Sequence, residues 1–122
     1  MGKITRIKKE IMTEPIQERQ LKWLAIDLDR TIAENSPYPE YNLLKPIKEA
    51  ALFLQQLTLD GWKIIIYTSR PWSDYDKVEK WLNKYKIPFR RIVCGKLLAK
   101  YFIDDRAIEF KGDWSEVYRK IK

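Results

Sequence analysis

Histidine is absent from all 122 residues. That excludes a Ser-His-Asp or Cys-His nucleophile system and the usual His-ligated zinc and iron centres. Cysteine occurs once, at Cys94, so no intrachain disulfide can form, as fits a reducing cytoplasm. At the end of Arg91-Ile92-Val93, Cys94 reads as a small buried apolar residue. Long hydrophobic runs are missing too. Stretches such as Ala50-Ala51-Leu52-Phe53-Leu54 fall far short of the roughly 20 residues a membrane span needs. The start, Met1-Gly2-Lys3-Ile4-Thr5-Arg6, leads into mixed charge rather than the apolar core of a signal peptide. Repeats, low-complexity tracts and interdomain linkers are also lacking. Any chemistry falls to carboxylates, hydroxyls, amines and a hard metal ion.

What is present is 45% hydrophobic and 34% charged residues, the composition of a soluble globular protein, at a length that buries one core and no second. A cytoplasmic protein with no membrane partner is expected. The net charge of +7 favours polyanions or anionic substrates. Much of the excess lies in Lys77, Lys80, Lys84, Lys86, Arg90 and Arg91, opposed nearby by Asp76 and Glu79. That pattern suits a solvated helix face or a nucleic-acid footprint.

Residues 1–20 alternate charge with isolated Ile and Met and carry Pro15, so they read as an N-terminal extension to a single domain over 21–122. A first strand is expected from Lys22 to Asp29, and a surface loop from Ala33 to Leu44 around Asn35-Ser36-Pro37-Tyr38-Pro39. Lys45-Pro46-Ile47 opens a helix, with Ile47, Ala50, Ala51, Leu54 and Leu57 at helical spacing and Asp60-Gly61 as its stop. A strand follows over Trp62 to Tyr67. Pro71-Trp72-Ser73-Asp74 caps a second helix whose face is Val78, Trp81, Leu82 and Tyr85. Short strands are expected at Arg91 to Cys94 and Lys100 to Ile103, then a terminal helix from Asp113-Trp114-Ser115 through Ile121. Strands alternating with helices predict an α/β fold with a central parallel sheet and right-handed crossovers.

In such a sheet the carboxyl ends of the strands line one crevice. Three apolar runs end there on chemistry: Trp23-Leu24-Ala25-Ile26 on Asp27-Leu28-Asp29, Ile64-Ile65-Ile66-Tyr67 on Thr68-Ser69-Arg70, and Tyr101-Phe102-Ile103 on Asp104-Asp105-Arg106. If strand geometry persists, Asp27 and Asp29 at i and i+2 face the same way. One carboxylate can then attack phosphorus while the other handles the leaving-group and water protons. Asp104 and Asp105 beside Asp27 would repel unless a cation neutralised them, and an oxygen-only donor set selects Mg²⁺ over zinc. Thr68 can donate to a phosphate oxygen, with the amides of the turn at Ser69 adding donors; it could equally cap the helix that follows. Lys96, after Cys94-Gly95, can reach a phosphoryl group and offset the aspartates.

These residues in this order resemble the haloacid dehalogenase-like hydrolase superfamily over about Leu21 to Ile121. Asp27-Leu28-Asp29-Arg30-Thr31 is similar to its first motif, with Arg30 where Gly is usual. Thr68 looks like the second motif, Lys96 the third and Asp104-Asp105 the fourth. The run from Gly95 to Ile108 is similar to small phage or bacterial members and to capsule-biosynthesis phosphatases, which more often have Pro where Leu97 stands. The resemblance implies a Rossmann-like three-layer sandwich and a Mg²⁺-dependent phosphomonoester hydrolase. Asp27 would be the nucleophile, forming an aspartyl-phosphate, and Asp29 the general acid/base. Mg²⁺ would be held by Asp27, the Asp29 carbonyl and Asp104, with Asp105 direct or through water; Thr68, Ser69 and Lys96 would hold the phosphoryl group. Arg106 is placed to pair with Asp105 or a neighbouring carboxylate. The gaps between motifs leave no room for a cap domain, so the expected site is open, suiting a sugar phosphate, a nucleotide or a polynucleotide end, with a second copy of the chain as a conceivable lid. Two other classes stay open: a catalytically weak binding module for nucleic acid or a protein, and a phosphoacceptor domain with a stable phospho-Asp.

Overall fold

A computed structural model of the protein describes residues 21–121; the expected N-terminal extension, residues 1–20, lies outside them. In chain order the elements are β1 (Trp23–Ile26), β2 (Ala33–Asn35), β3 (Leu43–Pro46), α1 (Ala50–Leu59), β4 (Lys63–Tyr67), α2 (Tyr75–Lys84), β5 (Arg91–Val93) and α3 (Trp114–Ile121). β1, β4 and β5 form a parallel sheet in the order β1-β4-β5, with Leu24 opposite Ile64 and Ile66 opposite Ile92. β4 is central because its Ile64 and Ile66 alternate into the core while Lys63 and Tyr67 stay exposed. This is an α/β fold built on a parallel sheet.

The helices cover that sheet through their apolar stripes. α1 buries Ala50, Leu54 and Leu57, and α2 buries Val78, Trp81 and Leu82 at helical spacing. α3 buries Trp114 and Val117 and meets α1 where the Phe53 and Tyr118 rings lie 5.3 Å apart. α1 stops as the Asp60-Gly61 pair predicts: Gly61 takes φ +96°, and the N–H of Trp62 reaches back to the Leu57 carbonyl at 2.9 Å. Asp113 caps α3, its Oδ1 accepting from the Ser115 N–H at 2.9 Å and the Ser115 hydroxyl at 2.6 Å. Cys94 is buried in the same core, as expected.

Three expectations are corrected. The stretch from Ala33 to Leu44 is not wholly loop: β2 and β3 pair antiparallel, Ala33 opposite Pro46 and Asn35 opposite Leu43. Pro46 ends β3 instead of opening a helix. Its missing N–H costs nothing at a strand end, and pairing carries on through the Ile47 N–H to the Ile32 carbonyl at 2.8 Å, so α1 starts only at Ala50. The strand expected from Lys100 to Ile103 does not form. Tyr101 and Phe102 are exposed and Ile103 is fully so, at 101%. Apolar β-formers make a strand only when a neighbouring ladder and a covered face receive them, and here the described residues pair β1 on one side alone, with β4.

Candidate active site

Because the three sheet strands run parallel, their carboxyl ends gather at one edge. β1 delivers Asp27 there, β4 delivers Thr68, and β5 delivers Cys94, Gly95 and Lys96. The last two segments are laced together: the Thr68 carbonyl accepts from Lys96 N–H and the Arg70 carbonyl from Gly95 N–H, both at 2.9 Å. Gly95 turns the chain with φ +78°, a conformation that favours glycine, beside the Trp72 indole. A groove of about 630 Å³ runs beside β1, lined by Trp23, Ala25 and Asp27 from that side and by Lys96, Phe102 and Asp104 from the other.

Asp27 is half-buried, and its Oδ1 accepts the N–H of Leu28 at 2.9 Å. Burial pushes its carboxyl above the ordinary range; the Lys96 charge and the Leu28 N–H oppose that, and the charge of nearby Asp29 adds to it. The Lys96 ammonium lies 5.4 Å from the Tyr67 ring centroid and 4.9 Å from that of Phe102. Such cation–π contacts steady a charge without neutralising it, so Lys96 remains available to an anion in the groove. Thr68 is fully buried, at 0%. Its Oγ1 accepts the Arg70 N–H at 3.1 Å, which fixes the turn, and its hydroxyl proton is still free to be donated. Ser69 is half-buried in that turn.

The strand does not persist to Asp29. It ends at Ile26, and the Leu28 carbonyl then accepts the N–H groups of Thr31, Ile32 and Ala33 at 3.3, 2.9 and 3.0 Å. Arg30 takes φ 63° within this curl, its guanidinium 5.9 Å from the Tyr41 ring. A left-handed non-glycine residue costs about 1–2 kcal/mol. The fully buried Leu28 and Ile32 on either side contribute about 2 kcal/mol each, so burial wins. Asp29 sits in an isolated bridge with Ala33 and is nearly buried, its side chain 15% exposed.

Two residues at Asp29 carry a role that the sequence reading did not assign. Arg70 donates from Nε to both Asp29 oxygens at 3.1 Å and from an Nη to Oδ1 at 2.6 Å. The same guanidinium also donates to the Tyr41 carbonyl and lies 3.6 Å from Asp74. Asn35, at the end of β2, donates from Nδ2 to Asp29 Oδ1 at 2.6 Å. The adjacency of Arg70 to Thr68 was visible in the chain; its pairing with Asp29, forty-one positions away, was not.

Asp104 and Asp105 are both exposed and do not close on Asp27 as a cluster. Asp104 borders the same groove, but its Oδ1 accepts the N–H of Arg106 at 2.8 Å. Asp105 meets the Arg106 guanidinium at 3.9 Å, the pairing expected for that arginine. Among the described residues no three Asp, Glu, Cys or His side chains gather closely enough to hold a metal ion. The oxygen donors suit Mg²⁺ chemically, and the carboxylates of Asp27 and Asp104 border one groove.

No protein-family model and no curated protein matches the chain. Among solved structures, an MCSG target from Vibrio cholerae is similar with a TM-score of 0.60 at 23% identity, covering 84% of this chain and 100% of its own. A conserved protein from Bacteroides thetaiotaomicron is similar with a TM-score of 0.59 at 27% identity, covering 81% of this chain and 88% of its own. Both likenesses are to the fold and agree with an α/β domain on a parallel sheet. Among the described residues no helix is long and apolar enough to cross a membrane.

Proposed function

We propose that this chain is a capless, haloacid dehalogenase-like phosphatase that hydrolyses phosphomonoesters through an aspartyl-phosphate on Asp27. The observation that carries this reading is the meeting of Asp27, Thr68 and Lys96 at the ends of three adjacent parallel strands, with Asp29 beside them. In the first step the ionised Asp27 attacks phosphorus, the P–O bond to the leaving group breaks, and Asp29 gives that oxygen a proton. In the second step Asp29 takes a proton from water, the hydroxide attacks phosphorus, and the bond to Asp27 breaks to release phosphate. Lys96 and the Thr68 hydroxyl offset the charge that gathers on the phosphoryl oxygens. These side chains carry every step. Mg²⁺ belongs to the proposal: Asp27, the Asp29 carbonyl and Asp104 would hold it, and it would offset charge on the phosphoryl oxygens.

A capless site fits the chain between the strands. Only the β2–β3 hairpin and α1 separate β1 from β4, and only a 3₁₀ turn at Trp72–Asp74 and α2 separate β4 from β5. An open groove admits a bulky alcohol behind the phosphate, such as a sugar phosphate, a nucleotide or a polynucleotide end. The test is rapid quenching followed by intact-mass measurement with an activated aryl phosphate. Asp29→Asn is expected to accumulate a phosphoryl adduct and stall, and Asp27→Asn to form none. Near-wild-type turnover by Asp27→Asn would remove Asp27 as nucleophile.

A further inference from the structure

We infer that Arg70 and Asn35 are positioning residues that anchor one oxygen of Asp29 and leave the other to carry the catalytic proton. This rests on the phosphatase reading above and adds to it the residues that aim its acid/base. Oδ1 of Asp29 receives three donors: an Nη of Arg70 at 2.6 Å, Nε of Arg70 at 3.1 Å and Nδ2 of Asn35 at 2.6 Å. Oδ2 receives one, the shared Nε at 3.1 Å. A carboxylate oxygen has about two lone-pair sites, so Oδ1 is saturated and Oδ2 keeps room for a proton. The arrangement is therefore asymmetric, with Oδ2 the less occupied oxygen.

Both anchors are themselves held. Arg70 is 12% exposed, and it is braced by Asp74 at 3.6 Å and by the Tyr41 carbonyl. Its own N–H is tied to Thr68 Oγ1, which couples the aim of Asp29 to the turn proposed to bind phosphate. Asn35 keeps its contact at a cost. With Nδ2 turned to Asp29, Asn35 Oδ1 is buried with no hydrogen-bond partner among the described residues, a state that packing alone disfavours. The hairpin holding Asn35 also supplies the Tyr41 carbonyl to Arg70, so the two anchors of Asp29 are tied to each other.

The experiment measures, with the full chain and in the first turnover, the rate of Asp27 phosphorylation by an alkyl phosphate, which needs its leaving oxygen protonated, and by a nitrophenyl phosphate, which hardly does. Arg70→Lys and Asn35→Ala are the variants, each checked for a cooperative thermal transition. Asn35→Ala is the milder one, because it also deletes the unpartnered Oδ1. The expected result is a loss in that rate of about 10²-fold with the alkyl ester against about threefold or less with the nitrophenyl ester, with the half-saturating substrate concentration little changed. Equal losses on both esters would mean a structural role and overturn the inference. A rise in the half-saturating concentration with the phosphorylation rate unchanged would make Arg70 a phosphate ligand and overturn it equally. Wild-type protein inactive on every phosphomonoester would overturn the phosphatase reading and this inference together.

Discussion

At the scale of single residues, Asp27 sets its proposed role against stability. Its carboxyl is raised above the ordinary 3.8, first by burial, and Lys96 only partly offsets this. The unfolded chain therefore ionises at lower pH than the folded one. Folding carries no ionisation penalty below the ordinary value; the penalty grows as pH rises through the folded value and is fully present above it. Asp27→Asn removes the charge and keeps the shape. It is expected to abolish turnover yet resist urea better than wild type near neutral pH, with the advantage shrinking toward acid. Urea titrations at both ends of that range check the sign: an advantage that grows in acid would contradict the buried-anion account.

Among the secondary-structure elements, those that were legible owe little to their neighbours. β1, β4 and β5 announce themselves as short apolar runs, α2 by its stripe, though its Asp74 makes no side-chain cap bond, and α3 by its stripe and the Asp113 cap. The hairpin did not show, because Asn35-Ser36-Pro37-Tyr38-Pro39 reads as a turn whether or not its flanks pair, and it takes the pairing of Ala33 with Pro46 and Asn35 with Leu43 to reveal that they do. Tyr101-Phe102-Ile103 misled for the converse reason: its composition suits a strand, but a ladder is a property of two segments. The same division holds in the site. Asp27, Thr68 and Lys96 were legible as strand ends, while the grip of Arg70 and Asn35 on Asp29 needs the hairpin in place. The late start of α1 has a residue-specific cause in Glu49, which takes φ 68° at the N-cap without a side-chain capping bond. Glu49→Gly is expected to raise stability by about 1 kcal/mol by relieving that conformation. An unchanged or lower urea midpoint would count against it.

Across the whole molecule, the placement of the carboxylates makes metal dependence a sharp question. Asp27 and Asp104 border one groove, and oxygen donors of this kind favour Mg²⁺. Excess EDTA is expected to remove turnover and added Mg²⁺ to restore it, with Asp104→Asn needing more Mg²⁺ than wild type; full activity in EDTA would take the ion out of the mechanism. The basic residues Lys77, Lys80, Lys84, Lys86, Arg90 and Arg91 all remain exposed, so the positive field acts on any anionic substrate that approaches.

The segment between β5 and α3 makes this a chain that can be cut without being taken apart. Every residue from Leu97 to Glu109 is exposed, and exposed tips of this kind are where proteases nick first. On the far side α3 stays moored, with Trp114 buried and its Nε1 donating to the Thr31 carbonyl at 2.9 Å. Brief chymotrypsin treatment is expected to cleave at Tyr101 or Phe102 and leave two fragments that co-elute under native conditions and part in denaturant. Such a nick puts Asp27, Asp29, Thr68 and Lys96 on one fragment and Asp104 and Asp105 on the other. The activity of the nicked pair then reads out, without any substitution, how much the groove depends on covalent continuity with its acidic rim.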